Sequence, residues 1–116
     1  MRALFLCLVA FFSIVGAAFA DPVGSYKING TNPGSNTRYG GTVVVSRTGD
    51  TYRVIWTIGG TQYEGTGIGN KDFLAVSYRA GNETGLALYG ASGNTWRGIW
   101  AYANGRQLGS EIWEPQ

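Results

Sequence analysis

The sequence predicts an all-β protein: a small eight-stranded antiparallel up-and-down β-barrel, preceded by a signal-peptide helix. Three observations support this prediction. Segments of alternating residues recur at short intervals, a turn signal closes each segment, and one eight-residue stretch occurs twice in nearly the same form. No helical period is visible after residue 20, so the folded part of the chain is expected to consist of strands and turns.

Residues 1–20 have the pattern of a secretory signal peptide. Arg2 supplies a positive charge, residues 3–15 form an apolar run, and Ala18-Phe19-Ala20 provides a small-x-small cleavage site before Asp21. A retained membrane anchor is the alternative, but the run is short for a spanning helix. We therefore expect an exported protein, periplasmic or secreted, with a single β-barrel domain over residues 21–116.

The composition excludes several chemistries for the mature chain. Its only cysteine, Cys7, lies in the leader, and the sequence contains no histidine, which argues against disulfides, thiol nucleophiles, Ser-His-Asp triads and ordinary zinc sites. Without Arg2 the chain carries eight basic and seven acidic side chains, a balance that favours neither nucleic acid nor an anionic membrane. We expect no enzymatic activity, no cofactor and no metal.

The strands can be taken in order along the chain. Turn residues that tolerate positive φ, such as Gly59-Gly60 and Asn104-Gly105, separate the alternating segments, and residues 30–38 form the only longer loop predicted. The predicted strands cover residues 25–29, 39–47, 52–58, 62–67, 73–79, 85–89, 95–102 and 108–113.

Eight short strands joined in sequence order leave an open edge at each end of the sheet, and closing the sheet into a barrel removes both edges. The alternation also predicts which face points inward. Strand three presents Val54 and Trp56 on one face, while strand seven presents Gly98 and Trp100. Large rings that alternate with glycine suit a barrel interior, where glycine makes room for a facing ring.

The repeated stretch is GDTYRVIW at residues 49–56 and GNTWRGIW at residues 93–100, and the copies differ at three positions. Each copy opens a hairpin, so strands three and four correspond to strands seven and eight. The repeat therefore predicts two four-stranded halves, neither of which can bury its aromatic face alone.

Two carboxylates are candidate functional residues. Glu64 and Glu111 lie on or near matching strands of the two halves, as a two-carboxylate hydrolase would require. The alternation, however, turns Glu64 toward solvent and Glu111 inward. A buried Glu111 needs a partner, for which Arg79 or Arg97 are candidates. It would serve in a structural ion pair or orient a ligand.

The aromatic residues are the main binding candidates, either as the lining of a ligand cavity or as a packed core. With Glu111, the candidate ligand-binding residues are Trp56, Tyr63, Tyr78, Tyr89, Trp96, Trp100 and Trp113. Asn32 and Arg38 are candidate contact residues of the longer loop, which would act as a plug if the protein were a periplasmic enzyme inhibitor.

The stretches DPVGSYKINGTNPG, TGDTYRVIWTIGG, GTGIGNKDFLAVSY and GLALYG resemble small secreted bacterial proteins labelled fibronectin-binding. This resemblance implies fibronectin or another extracellular protein as a partner and assigns no site residue. In architecture the chain is similar to the calycins, which include avidins, lipocalins and periplasmic barrel inhibitors. We expect an exported non-catalytic protein that binds such a partner or a small apolar ligand, with the inhibitor and the hydrolase as alternatives.

Overall fold

The computed structural model describes residues 21–116, and the predicted signal peptide and its helix lie outside the described residues. The described part is a closed eight-stranded antiparallel barrel, as the sequence predicts. No helix of residues 21–116 is long and apolar enough to span a membrane. The strands are β1 (Gly24–Thr31), β2 (Arg38–Thr48), β3 (Thr51–Ile58), β4 (Thr61–Gly69), β5 (Phe73–Ala80), β6 (Glu83–Ser92), β7 (Thr95–Tyr102) and β8 (Gly109–Pro115).

Each strand pairs with the next one along the chain, and β1 closes the barrel by pairing with β8, where Ile28 lies opposite Trp113. Every strand thus has two hydrogen-bonded neighbours, which satisfies the backbone groups that an open sheet would leave at its edges. Because β3 and β7 stand four strands apart, the two copies of the repeat face each other across the interior.

The connections agree with the predicted turns with one exception. Gly49, Gly59, Gly81 and Gly93 have positive φ in the tight hairpins. The sequence predicted one longer loop, but the β7–β8 connection over residues 103–108 is as long as the β1–β2 loop over residues 32–37. The Asn104-Gly105 turn forms, yet the chain needs further residues to reach Gly109, where β8 begins.

The inward residues of the eight strands form one core, and several of its rings lie against glycine on the next strand. The pairs are Tyr39 with Gly30, Tyr78 with Gly85, Tyr89 with Gly98, and Trp100 with Gly109. A Cβ atom built on any of these glycines would collide with its facing ring. Glycine therefore provides the space along the barrel wall in which each ring lies.

The two ends of the barrel differ. Near the amino terminus the interior is closed, because the Tyr26 hydroxyl donates to the Pro22 carbonyl at 2.9 Å and the Tyr26 ring packs on Trp113 at 5.4 Å. We call this the closed end. The opposite end, where the β1–β2, β3–β4, β5–β6 and β7–β8 connections lie, is the open end.

The ring-on-glycine packing can be tested at Gly98. We expect Gly98→Ala to destabilise the barrel by about 1–3 kcal/mol, because the new methyl group would displace the buried Tyr89 ring. Urea unfolding measures the difference. Gly90→Ala is the matched control, since a Cβ there meets no heavy atom within 4 Å. Equal stabilities of the two variants would contradict this account of the core.

Candidate functional site

A cavity of about 120 Å³ lies inside the barrel at the open end. Its lining is mostly aromatic and comes from both halves of the barrel. The lining residues are Asn32, Tyr39, Trp56, Ile58, Tyr63, Tyr78, Ala87, Tyr89, Trp100, Tyr102 and Glu111.

Most of the residues singled out from the sequence meet at this cavity: Trp56, Tyr63, Tyr78, Tyr89, Trp100, Glu111 and Asn32. Three do not. Trp96 and Trp113 are 1% and 0% exposed and fill the core toward the closed end. Arg38 is exposed at the start of β2 and does not line the cavity. The aromatic residues therefore form both a packed core and a cavity, at different depths in the same barrel.

Four lining residues were missing from the sequence-based candidates: Tyr39, Ile58, Ala87 and Tyr102. The alternation already contained a signal for two of them, because Ile58 and Tyr102 continue the inward faces that carry Trp56 and Trp100. Tyr39 required the strand register, which places it opposite Gly30 at the open end.

Glu111 lies at the centre of the polar contacts and is 4% exposed. Its Oε1 atom accepts hydrogen bonds from Tyr89 Oη at 2.6 Å, Trp113 Nε1 at 2.8 Å and Trp56 Nε1 at 3.1 Å. Its Oε2 atom accepts one from Tyr39 Oη at 2.6 Å. All four partners donate, which is the arrangement suited to an ionised carboxylate that only accepts.

The expected ion pair between Glu111 and Arg79 or Arg97 is wrong. Both arginines are exposed on the outer face of the barrel, because each alternates with inward residues on its strand. Neutral donors surround the carboxylate instead, and no lysine or arginine lines the cavity. The charge is thus stabilised by hydrogen bonds alone.

Glu64 and Glu111 lie on the matching strands β4 and β8, as the sequence predicts, but not at matching positions. Glu64 is exposed and forms a surface ion pair with Arg53 at 3.0 Å. The register places Glu111 opposite Gly98 in the second half and Gly65 opposite Val54 in the first, so Gly65 is the counterpart of Glu111. The two carboxylates point to opposite sides of the barrel wall.

The rings of the lining pack edge to face in a continuous belt. Tyr78 contacts Trp56 at 5.8 Å between ring centroids, Tyr63 at 6.4 Å and Trp100 at 6.3 Å. Trp100 in turn contacts Tyr39 at 6.1 Å and Tyr102 at 5.2 Å. The planes of these pairs stand at 67° to 80° to one another, the favourable geometry for aromatic pairs.

Trp100 Nε1 is a buried donor that has no hydrogen-bond acceptor among residues 21–116. The indole N–H packs close to Gly109, where an added Cβ would lie 2.6 Å from the nitrogen. Trp56, the matching residue of the other repeat, donates to Glu111 instead. A buried N–H without a partner is costly, so the two equivalent tryptophans differ in how well their donors are satisfied.

Burial shifts the tyrosine hydroxyls of this site toward the neutral form. It raises the pKa of Tyr89 well above 10.0, and the neighbouring Glu111 charge raises it further. The pKa of Tyr39 is raised by burial and by Glu111, while the nearby Trp100 N–H, which does not meet hydrogen-bond geometry with the Tyr39 hydroxyl, opposes the shift. Burial also raises the pKa of Tyr78, with a contribution from Glu83.

Comparison with known proteins gives no further identification. No protein-family model matches the chain, and no curated protein matches it. The resemblance to proteins labelled fibronectin-binding therefore stays a prediction from the sequence.

The role of Glu111 can be tested by removing its charge. We expect Glu111→Gln to lower the free energy of unfolding by about 2–3 kcal/mol, because the amide nitrogen would turn one acceptor into a donor that faces other donors. Chemical unfolding measures the loss. Glu114→Gln, an exposed change on the same strand, is the control and should be near neutral. A stable Glu111→Gln variant would contradict the proposed network.

The tyrosine pKa values predict instability in alkali. Above pH 10.0 the unfolded chain loses tyrosine protons that Tyr39, Tyr78 and Tyr89 retain in the barrel, so stability is retained below this pH and falls as the pH rises above it. Tyrosinate absorbance and circular dichroism, followed together, measure this effect. We expect the ionisation of these three side chains to coincide with unfolding. If all tyrosines ionised near pH 10 in a folded barrel, the burial argument would be wrong.

Proposed function

We propose that this protein is an exported, non-catalytic binding protein whose barrel holds the ring-sized apolar group of a small ligand. The observation that carries the proposal is an open, aromatic-lined cavity with a single carboxylate, Glu111, in its wall. Such a combination of apolar lining and few polar groups is typical of small-molecule sites.

The size of the cavity limits what it can enclose. At about 120 Å³ it is somewhat smaller than a dry cavity of roughly 150 Å³ that accepts benzene. One ring or a compact branched group would fill it, and the rest of a larger ligand would extend through the open end.

The arrangement of Glu111 supports a role other than catalysis. Its Oε1 atom already accepts three hydrogen bonds from buried rings, which hold the carboxyl group in one position. The other candidate carboxylate, Glu64, lies on the outer surface in an ion pair. A hydrolase with two carboxylates flanking one bond would need both on the same side.

A protein partner is the second candidate, and the outer face of β4 to β7 favours it. Leu88 and Ile99 lie opposite each other in the β6–β7 pairing and are 52% and 46% exposed, with Leu86 two residues before Leu88. Exposed apolar groups in a row are common where proteins meet. Fibronectin or another extracellular protein would contact this face and leave the cavity free.

Cavity binding can be tested by filling the cavity. We expect acetophenone, which has one ring and one acceptor oxygen, to bind saturably in calorimetric and tryptophan-fluorescence titrations. Ala87→Leu places a larger side chain in the lining and should weaken binding at least tenfold, or by about 1.4 kcal/mol.

Ala75→Leu is the matched control, because Ala75 lies on the outer face between Ile68 and Leu88 in the register. It should leave binding unchanged. If neither acetophenone nor toluene bound saturably, the cavity would not hold a neutral ring, and for uncharged partners the outer face would become the better candidate.

A further inference from the structure

We infer that the cavity selects a positively charged alkylammonium group, so that its ligand is a small organic cation. This inference rests on the proposed function, because it concerns the same cavity. It goes further by stating the charge of the ligand, which an aromatic lining alone would leave open.

The first argument is the charge of Glu111. The carboxylate lines the cavity, and neither lysine nor arginine lines it with Glu111. Oε1 accepts three hydrogen bonds, whereas Oε2 accepts only one, from Tyr39. A carboxylate has about four acceptor positions, so Oε2 keeps capacity for a further partner. A cation in the cavity would compensate a negative charge that the protein buries without a counterion.

The second argument is the ring belt. Ring faces carry negative charge density, and groups of aromatic rings that surround a cation are the established means of binding quaternary ammonium ligands. The cavity lining contains two tryptophans, Trp56 and Trp100, the ring type that binds cations most strongly. Tyr39 and Tyr78 are kept neutral by burial, which raises the pKa of both hydroxyls, so they add rings without adding charge.

The third argument is the electrostatics of the open end. Glu83, at the start of β6, lies near enough to Tyr78 and Tyr102 for its charge to raise the pKa of both hydroxyls. A second carboxylate therefore contributes negative charge at the entrance to the cavity. Arg38 and Arg106 belong to the same end of the barrel but do not line the cavity.

Trp100 contributes its ring to the site rather than its N–H, because Nε1 is buried and packs against Gly109. A compact alkylammonium group would therefore be held by Glu111 and the surrounding rings. Choline carries such a group and is a suitable test ligand.

The test compares choline with its neutral isostere, in which carbon replaces the quaternary nitrogen. Calorimetric titration of the purified protein should show choline binding at least tenfold more tightly than the isostere. Equal binding of the two would overturn the cation inference and leave the proposed function standing. If the isostere and acetophenone bound and choline did not, the cation inference would likewise fail alone. Binding of none of the three would overturn both.

Charge removal provides an independent comparison. In Glu111→Gln the preference for choline over the isostere should fall at least several-fold, to the part that the rings alone provide, because the carboxylate is gone while the rings remain. A general loss of structure would instead weaken the binding of both ligands equally. Glu114→Gln keeps the cavity charge and should retain the preference. An undiminished preference in a Glu111→Gln variant that still binds the isostere as tightly as the unmodified protein does would overturn the role assigned to the carboxylate. The comparison of ligands on the unmodified protein does not depend on this variant's folding.

Discussion

The interior of this barrel depends on the carboxylate of Glu111. Burying a charge without a counterion destabilises the folded state. The fold tolerates this only where hydrogen-bond donors are already in place around the charge. Here the donors come from four strands spread around the barrel: β2, β3, β6 and β8 itself. A single group therefore fixes the rotation of four rings and joins parts of the chain that are distant in sequence. The same contacts give the cavity its fixed wall.

The division into a packed end and an open end follows from how side-chain volume is distributed along the strands. Toward the closed end, aliphatic residues such as Val45 and Leu74 fill the lumen together with Trp96 and Trp113. Toward the open end, rings alternate with glycine, and Tyr39, Tyr78 and Trp100 each lie against a glycine of a neighbouring strand. A ring in that position takes up space along the wall, which leaves the centre free. The cavity is thus a consequence of the ring-on-glycine pairs.

The sequence predicted what depends on local periodicity. A period of two determined the eight strands, the inward position of Glu111 and the outward position of Glu64, and the repeat indicated two halves. The sequence could not predict the hydrogen-bond partners of Glu111. Tyr39, Trp56 and Tyr89 reach its carboxylate only because the barrel closes and the strands pair in a particular register. The sequence also did not predict how deep each inward side chain lies along the barrel axis. Trp96 and Trp100 share a face and a strand, yet one is core and the other lines the cavity.

The arrangement around Glu111 also links stability to binding. A buried carboxylate with spare acceptor capacity weakens the free barrel relative to an apolar lining, which is the usual compromise at a site shaped for a ligand. Because the rings are already packed against one another, occupying the cavity requires little further ordering. A ligand that interacts with the charge then recovers part of the cost, and by mass action it raises stability with its concentration. The proposed ligand would therefore add stability to a polar centre that already organises the core.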